Sequence, residues 1–276
     1  MDLIRAIVLG ILQGATEFLP VSSSGHLVLI PLWLGWEEPP LTFDVVVHLG
    51  TLMAVLAYFW RDWLTLLRAG WTALKTRSTQ NIPGQELDAH LLLLLIAGTI
   101  PAAVAGLFVK GLFESISNEP VIVASFLYVT AGLLVLSERR GTLNRSLDGL
   151  TLRDALAIGV AQAFAILPGI SRSGSTIAAG ILRGLPRAAA ARFSFLLGTP
   201  VILGAGGKQA LDLLLGRETL ADNMVLPLVV GFVSAASVGY LCIWFLMRLL
   251  QNRRLYGFAL YCAVFGTLSL LVALLS

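Results

Sequence analysis

The stretch "EFLPVSSSGH", Glu17 to His26, interrupts a long apolar segment at the start of the chain with a carboxylate, three serines and an imidazole. Local structure offers a simple explanation: Pro20 ends one helix, Ser22 or Ser23 caps the next, and His26 is a hydrogen-bonded bystander. A reaction centre is the alternative. The rest of the chain is needed to choose between these interpretations.

The same pattern returns in the second half of the chain. "GILQGATEFLPVSSSG" (Gly10 to Gly25) and "GVAQAFAILPGISRSG" (Gly159 to Gly174) share GxxQ, then LP, then SxSG, with twelve residues from the glutamine to the last glycine in both. Two further matches follow in the same order: "LGT" at Leu49 and at Leu197, then "AGTIPAAVAG" and "VGFVSAASVG". Three matches in one order indicate an internal duplication, with repeats over approximately 1–140 and 150–276.

The composition is typical of an integral membrane protein. Of the 276 residues, 57% are hydrophobic and 13% are charged, and the mean hydropathy is +0.85. The first apolar run lacks a basic n-region, so we expect no cleavable signal. Six windows are long and apolar enough to span a bilayer, the last two with interruptions: 91–109, 120–137, 225–247, 256–275, 43–60 and 193–214. We therefore predict one membrane domain, 1–276, with six transmembrane helices.

Two other apolar stretches, 3–34 and 154–183, are broken in the middle by Leu-Pro and a serine cluster. Each half is too short to cross, and irregular backbone at membrane depth needs cover from protein or water. We predict two re-entrant helix-loop-helix pairs. Each repeat then holds one such pair and three spans, and because three is odd the repeats have opposite orientations. The predicted fold class is an all-α polytopic membrane protein with an inverted-topology repeat.

The placement of charge supports this topology independently. Of 19 Lys and Arg residues, 14 fall in four short stretches: 61–77, 139–153, 183–192 and 248–254. With the N-terminus outside, the inverted arrangement puts all four on the cytoplasmic side, as the positive-inside rule requires. The outer stretches 110–120 and 207–224 hold more acidic than basic residues. The net charge of +3 therefore reflects topology, and we expect no nucleic-acid partner. The two re-entrant tips are expected to meet near the midplane.

Each tip leads into a helix whose N-terminus presents unsatisfied N–H groups and a positive dipole end, which suits an anion. The second tip adds Arg172, whose planar guanidinium matches phosphate oxygens. An intramembrane arginine costs about 2.5 to 3.5 kcal/mol on insertion scales, so a function is the first hypothesis. The alternative is an ion pair between Arg172 and Glu17 that holds the two repeats together and has no catalytic function. The predicted phosphate-binding residues are Arg172, Ser22, Ser24, Ser171, Ser173 and Thr176.

The first tip carries the reactive groups. Ser23 and His26 lie three residues apart at a helix start, so the imidazole can reach the hydroxyl and take its proton. Glu17 can orient His26, transfer a proton or bind a cation. The predicted catalytic residues are Glu17, Ser23, His26 and Arg172. His48 and Asp44, on a span, can line the same cavity, but a hydrogen-bonded structural role is favoured for them.

These motifs resemble a known family. "QGATE" with "FLPVSSSGH" and "LPGISRSGST" resemble the two signatures of the undecaprenyl-diphosphate phosphatases, the bacitracin-resistance type of membrane phosphatase, and the likeness covers essentially the whole chain. It implies hydrolysis of undecaprenyl diphosphate to undecaprenyl phosphate and inorganic phosphate. It also implies a site facing the outside of the bacterial plasma membrane, recycling of the lipid carrier for peptidoglycan, and bacitracin resistance when the enzyme is abundant.

The resemblance also implies residue roles. The family's first signature falls on Gln13 and Glu17, its essential serine and histidine on Ser23 and His26, and its arginine on Arg172. Serine, histidine and water all remain open as the attacking group. The acidic motif implies Mg²⁺ or Ca²⁺ at Glu17, with Gln13 beside it, although a neutral Gln13 removes the two-carboxylate version of such a site.

Among these alternatives we prefer attack by Ser23, deprotonated by His26, on the terminal phosphorus, followed by hydrolysis of a phosphoryl-serine. The expected partners are the polyprenyl diphosphate substrate and membrane lipids, with a homodimer as an open alternative to a monomer. A lipid-phosphate transporter or flippase using the same midplane cavity is the competing function, because inverted repeats with broken helices are a common transporter plan.

Overall fold

The computed structural model describes residues 1–76, 88–108, 110–215 and 224–275, and these residues form helices and loops without a β-strand. Arg77, Arg217, Glu218 and Asp222, which contributed to the charge pattern, lie outside the described residues. Twelve α-helices lie in the described residues: α1 (Leu3–Phe18), α2 (Ser23–Leu34), α3 (Leu41–Tyr58), α4 (Trp60–Thr76), α5 (Ala89–Phe108), α6 (Lys110–Ser117), α7 (Pro120–Arg140), α8 (Leu152–Phe164), α9 (Arg172–Leu182), α10 (Arg187–Leu214), α11 (Val225–Asn252) and α12 (Tyr256–Leu275).

Six of these helices are long and apolar enough to cross a membrane: α3, α5, α7, α10, α11 and α12. They coincide with the six predicted windows, so the prediction of an all-α protein with six spans is confirmed. The sequence did not predict α4, which forms inside the first basic stretch. Its apolar residues recur at helical spacing among the charges, and Leu66 is buried while Arg61 and Lys75 lie over tryptophan rings.

The four shorter arms agree with the predicted re-entrant pairs. Helices α1, α2, α8 and α9 have 16, 12, 13 and 11 residues. The first pair breaks just before Pro20, whose ring cannot continue a helix, and restarts at a serine N-cap. The second pair breaks after Phe164 and restarts at a serine N-cap in the same way. These lengths are consistent with arms that enter and leave the membrane on one side.

The packing of the arms agrees with an inverted duplication. Helix α1 packs against α11 of the other repeat, and α8 packs correspondingly against α5. The repeat-related glycines lie at both contacts: a Cβ on Gly10 would lie 2.6 Å from the Gly231 carbonyl oxygen, and one on Gly159 would overlap the Gly98 carbonyl. Small residues let helix backbones approach closely. The first helix of each re-entrant pair, α1 or α8, therefore packs closely against the middle transmembrane helix of the opposite repeat.

A buried carboxylate ties down the base of the second re-entrant pair. Asp154 forms a capping box with Thr151 and pairs with Arg145 at 3.0 Å and Arg183 at 2.5 Å. Burial opposes its ionisation, but hydrogen bonds from Thr151 and both arginines outweigh burial and hold the pKa of Asp154 well below its usual range. The residues that hold α8 and α9 in place therefore belong to two of the basic stretches, 139–153 and 183–192, that were predicted to lie on the inner side.

Candidate active site

The two helix breaks contact each other. Ser22 accepts a hydrogen bond from the Gly25 amide at 3.2 Å and caps α2, while Ser171 accepts from the Gly174 amide at 3.0 Å and caps α9. The Ser173 hydroxyl then donates to the Leu19 carbonyl across the two breaks at 3.1 Å. The N-termini of α2 and α9 therefore lie side by side.

Glu17 is the centre of the site. Its Oε1 accepts from Arg172 Nη2 at 2.5 Å, and its Oε2 accepts from the Ser23 hydroxyl at 2.6 Å and from the Gln13 amide at 3.0 Å. Glu17 is 6% exposed. A buried carboxylate is tolerated only with such charge-assisted partners. Because the Ser23 hydroxyl donates its hydrogen bond to Oε2, this oxygen is placed to take the hydroxyl proton.

A cavity of about 700 Å³ opens onto this cluster. Its described charged and titratable lining residues are Glu17, Glu38, Asp44, His48 and Arg172, and Ser23 and Ser24 also face it. Its apolar wall comes from α2, the second break and α10, and includes Leu27, Val28, Ile166, Ile170, Val201 and Ile202. A cavity with a few convergent polar groups on an apolar wall suits an amphiphile with an anionic head.

His26 lies elsewhere. Its Nδ1 donates to the Ser22 carbonyl at 2.7 Å, and its Nε2 therefore accepts from the Tyr261 hydroxyl at 2.8 Å. The ring is 1% exposed and stacks on Phe265 with centroids 4.2 Å apart. Both nitrogens are engaged away from Ser23, so the predicted Ser23–His26 pair does not form. Residues of α12 hold the His26 ring away from Ser23. Glu17, on the other side of the break, accepts the hydrogen bond from the Ser23 hydroxyl.

The predicted phosphate-binding hydroxyls divide into two groups. Ser24 lines the cavity. Ser22 and Ser171 are N-caps, Ser173 bonds Leu19, and Thr176 shares a 2.5 Å hydrogen bond with Ser194. All four are buried. Their side chains hold the breaks together, and their predicted direct contact with phosphate does not match this arrangement.

The sequence interpretation of His48 and Asp44 was incomplete. The His48 ring forms a hydrogen bond of 2.6 Å with the Asp44 carbonyl, and this contact fits the predicted structural role. Both side chains nevertheless line the cavity, and His48 Nε2 lies 3.8 Å from Glu17 Oε2. Two ionisable residues four apart, on one face of an otherwise apolar span, were the signal that could have identified them.

The sequence matches that of a known protein family. The sequence profile of a family described as "Bacitracin resistance protein BacA" matches residues 6–268. The chain belongs to this family.

Relatives of known name cover the whole chain. A protein of Desulforudis audaxviator named "Undecaprenyl-diphosphatase" is 44% identical over 275 residues, covering 100% of this chain and 99% of the relative. One of Thermomicrobium roseum with the same name is 45% identical, covering 99% and 98%. An "Undecaprenyl-diphosphatase 2" of Stutzerimonas stutzeri is 43% identical, again covering 99% and 98%. The resemblance seen in the two sequence signatures therefore extends to full-length family membership.

In this family member, the second "LGT" makes room for the arginine. A Cβ on Gly198 would overlap the guanidinium of Arg172, so the side chain occupies the place that any larger residue would need. The glycine of the first "LGT", Gly50, serves a different contact, because its Cβ would lie 2.6 Å from the Phe232 carbonyl of α11. The repeat revealed both glycines, but only the packing shows that Gly198 belongs to the site.

A metal ion at Glu17 and Gln13 does not fit this arrangement. Both Glu17 oxygens are already engaged by Arg172, Ser23 and Gln13. In the described parts of the chain, no three His, Cys, Asp or Glu residues converge as a metal site. The guanidinium neutralises the carboxylate here, and a cation at the same oxygens would compete with it.

Proposed function

We propose that this protein hydrolyses undecaprenyl diphosphate to undecaprenyl phosphate and inorganic phosphate. The observation that carries the proposal is the Ser23 hydroxyl bonded at 2.6 Å to the buried Glu17 carboxylate, with Arg172 on the other oxygen, in a cavity among membrane helices. Membership of the family and the names of the full-length relatives support it. No observation favours the transporter alternative over hydrolysis.

In the proposed mechanism Ser23 is the nucleophile and Glu17 the base. Glu17 accepts the hydroxyl proton while Oγ bonds the terminal phosphorus, the bond from that phosphorus to the bridging oxygen breaks, and undecaprenyl phosphate leaves. Water then attacks the phosphoryl-serine, phosphate departs, and the Ser23 hydroxyl is restored. Arg172 stabilises charge on the phosphoryl oxygens, and such positioning and charge neutralisation are the main contributions in phosphoryl transfer.

The cavity suits the head of the lipid and leaves the tail in the bilayer. Its polar end holds Glu17, Ser23 and Arg172, and its apolar wall receives the first isoprene units. A 55-carbon tail exceeds the cavity and must extend between helices into the membrane. The diphosphate head therefore lies in the protein while the prenyl chain stays in lipid.

We propose that the cavity opens to the outside of the plasma membrane. Glu38, Asn118 and Gly206 line it. Asn118 lies in the outer stretch 110–120, Gly206 directly precedes the outer stretch 207–224, and Glu38 lies between the first re-entrant pair and α3, on the side where this topology places the N-terminus. An outward site would recycle the lipid carrier released during peptidoglycan synthesis. An abundant enzyme would remove the diphosphate that bacitracin sequesters, which gives resistance.

Mg²⁺ or Ca²⁺, implied by the family resemblance, is proposed only as a companion of the substrate. Mg²⁺ in proteins is commonly held by substrate phosphates, waters and one or two carboxylates. Such an ion would neutralise phosphate charge and would need no cage of protein ligands. None of the proposed steps depends on it.

The direct test uses purified full-length protein in detergent with undecaprenyl diphosphate radiolabelled in the terminal phosphate. We expect release of labelled inorganic phosphate and formation of undecaprenyl phosphate in equal amounts. A folded protein that releases no phosphate, yet moves the lipid between leaflets of vesicles, would favour the transporter. Quenching turnover with a denaturing detergent at neutral pH preserves both phosphoserine and phosphohistidine and should trap the label on Ser23 in acid-stable form, and an acid-labile label on His26 would overturn the assignment of the nucleophile.

Replacing Gly198 by alanine is expected to lower kcat/KM at least about 100-fold, because the new methyl group occupies the place of the Arg172 guanidinium and misplaces it. The measurement is the rate of phosphate release by the purified variant. Gly204→Ala is the matched control on the same helix, since a Cβ there has no heavy atom within 4 Å. Equal rates for both variants would contradict the proposed role of Arg172.

Replacing His26 by alanine is expected to lower kcat at least about tenfold and to lower the melting temperature as well. The ring holds the Ser22 carbonyl and packs on Phe265, so its loss loosens the helix start that presents Ser23. The shape of the pH–rate profile is expected to stay that of the unaltered enzyme. Loss of one limb of that profile in His26→Ala would reinstate the imidazole as the base.

A further inference from the structure

We propose that Gln162 binds the lipid-linked phosphate of the substrate, the phosphate that stays on the prenyl chain after hydrolysis. This inference rests on the proposed phosphatase function. Gln162 lies on α8, is 1% exposed and belongs to the wall of the cavity. Within the part of the chain that the structure describes, neither its Nε2 nor its Oε1 has a hydrogen-bond partner.

A buried amide without a partner is costly. Buried polar groups are nearly always hydrogen-bonded, because leaving water without gaining a new partner costs free energy. Ala165 and Ile166, which follow Gln162 at helical spacing and also line the cavity, have apolar side chains that offer no partner. Of the buried side-chain nitrogens that lack a partner among the described residues, only Gln162 Nε2 belongs to the cavity wall. This N–H group therefore requires a partner from inside the cavity.

The internal duplication explains why the amide is unpartnered. At the equivalent position of the first repeat, Gln13 donates at 3.0 Å to Glu17, four residues further along the chain. The residue four positions after Gln162 is Ile166, which cannot accept this hydrogen bond. The glutamine is present in both repeats, whereas its carboxylate partner is present in only one. The first glutamine therefore holds the proposed base, and the second presents its amide to the substrate.

The location of Gln162 selects the lipid-linked phosphate. In the proposed mechanism the terminal phosphate lies at Ser23 and Arg172, and Gln162 forms no hydrogen bond with either residue. Along the second break Gln162 is followed by Ile166 and Ile170, which belong to the apolar wall that receives the first isoprene units. An amide at the start of that wall lies where the anionic head joins the prenyl chain. The anionic group at this junction is the lipid-linked phosphate.

A neutral amide suits a phosphate that must leave. When the bond between the terminal phosphorus and the bridging oxygen breaks, its electron pair stays on that oxygen, and the lipid-linked phosphate gains negative charge. The Nε2–H group, held in a buried site, donates a hydrogen bond to this charge. Because the amide has no net charge, it holds the product less strongly than an arginine would, and undecaprenyl phosphate can dissociate. The amide oxygen can accept from water that hydrates the head.

The test uses full-length Gln162→Met and Gln162→Leu, which replace the amide by apolar side chains of similar size. We expect kcat/KM for phosphate release from undecaprenyl diphosphate to fall about 10- to 100-fold, because one hydrogen bond to a charged oxygen is lost. Inhibition by added undecaprenyl phosphate should weaken at least about fivefold, while inhibition by inorganic phosphate stays within about twofold. The melting temperature should stay equal or rise, because an unpartnered buried amide is replaced by an apolar group.

Gln13→Met is the matched comparison from the first repeat. Because Gln13 donates to Glu17, this change should lower kcat and the melting temperature and leave inhibition by undecaprenyl phosphate within about twofold of the unaltered enzyme.

Unchanged kcat/KM in both Gln162 variants would overturn the inference. Equal weakening of both inhibitors together with a lower melting temperature would also overturn it, because that result is expected of a residue that only supports packing. An inactive unaltered enzyme would instead overturn the proposed function, so the two failures are distinguishable.

Discussion

Replacing Ser23 by alanine is expected to reduce phosphate release at least about 10³-fold, since the variant lacks the oxygen that attacks phosphorus in the proposed mechanism. The hydroxyl is the group that lies 2.6 Å from the Glu17 carboxylate, and no other serine in the described chain shares that contact. The measurement is single-turnover release of labelled phosphate. The same variant is expected to form no acid-stable phosphoryl-enzyme.

Ser24→Ala is the matched comparison for Ser23→Ala. Ser24 follows directly and lines the same cavity, but its hydroxyl contacts Ser22 at 3.4 Å and not Glu17. We expect a loss of no more than about tenfold, the cost of one neutral hydrogen bond to substrate. A Ser23→Ala variant that keeps more than a tenth of the rate would show that water attacks the diphosphate directly.

Replacing Glu17 by glutamine is expected to lower kcat about 10²- to 10⁴-fold, the usual contribution of a general base. The amide keeps the shape of the side chain but cannot take the Ser23 proton. The change also leaves the guanidinium of Arg172, 17% exposed, without its anion, and breaking a buried pair costs about 3 to 5 kcal/mol. We therefore expect a lower melting temperature that a bound phosphate partly restores, because phosphate can replace the carboxylate.

Glu38→Gln provides the control for Glu17→Gln. Glu38 is exposed and lines the same cavity from the loop between α2 and α3. We expect a rate within about threefold of the unaltered enzyme, as is usual for an exposed charge. If the ion pair of Glu17 and Arg172 only held the repeats together, Glu17→Gln would lower the melting temperature while the folded protein kept its kcat.

Much of the fold could be predicted from local and periodic features of the sequence. Apolar windows predicted the six spans because hydrocarbon thickness sets the length of a crossing helix. The repeated SxSG placed Ser23 and Arg172 at equivalent positions, and both begin a helix in the structure. Helix α4 was missed because its basic residues were interpreted as marking a loop, although the same residues suit the polar side of an amphipathic helix.

The sequence predicted the chemistry of the site less completely than the fold. A spacing of three residues predicted that His26 would serve Ser23, but spacing says only that two side chains leave the helix on neighbouring faces. Tyr261 and Phe265, more than two hundred residues away in the chain, decide where the imidazole points. The group that accepts a hydrogen bond from the Ser23 hydroxyl is instead Glu17, on the opposite side of the helix break.

The sequence by itself therefore determined the membrane class, the duplication, the position of the two breaks and the identity of the residues at them. These depend on hydrophobicity, proline and serine capping, which act within a few residues. Only the tertiary structure decided which groups pair, that Gly198 leaves space for the guanidinium of Arg172, and that His48 faces Glu17. Those contacts join helices from both repeats, and side-chain direction at such a junction depends on the packing of all the helices that meet there.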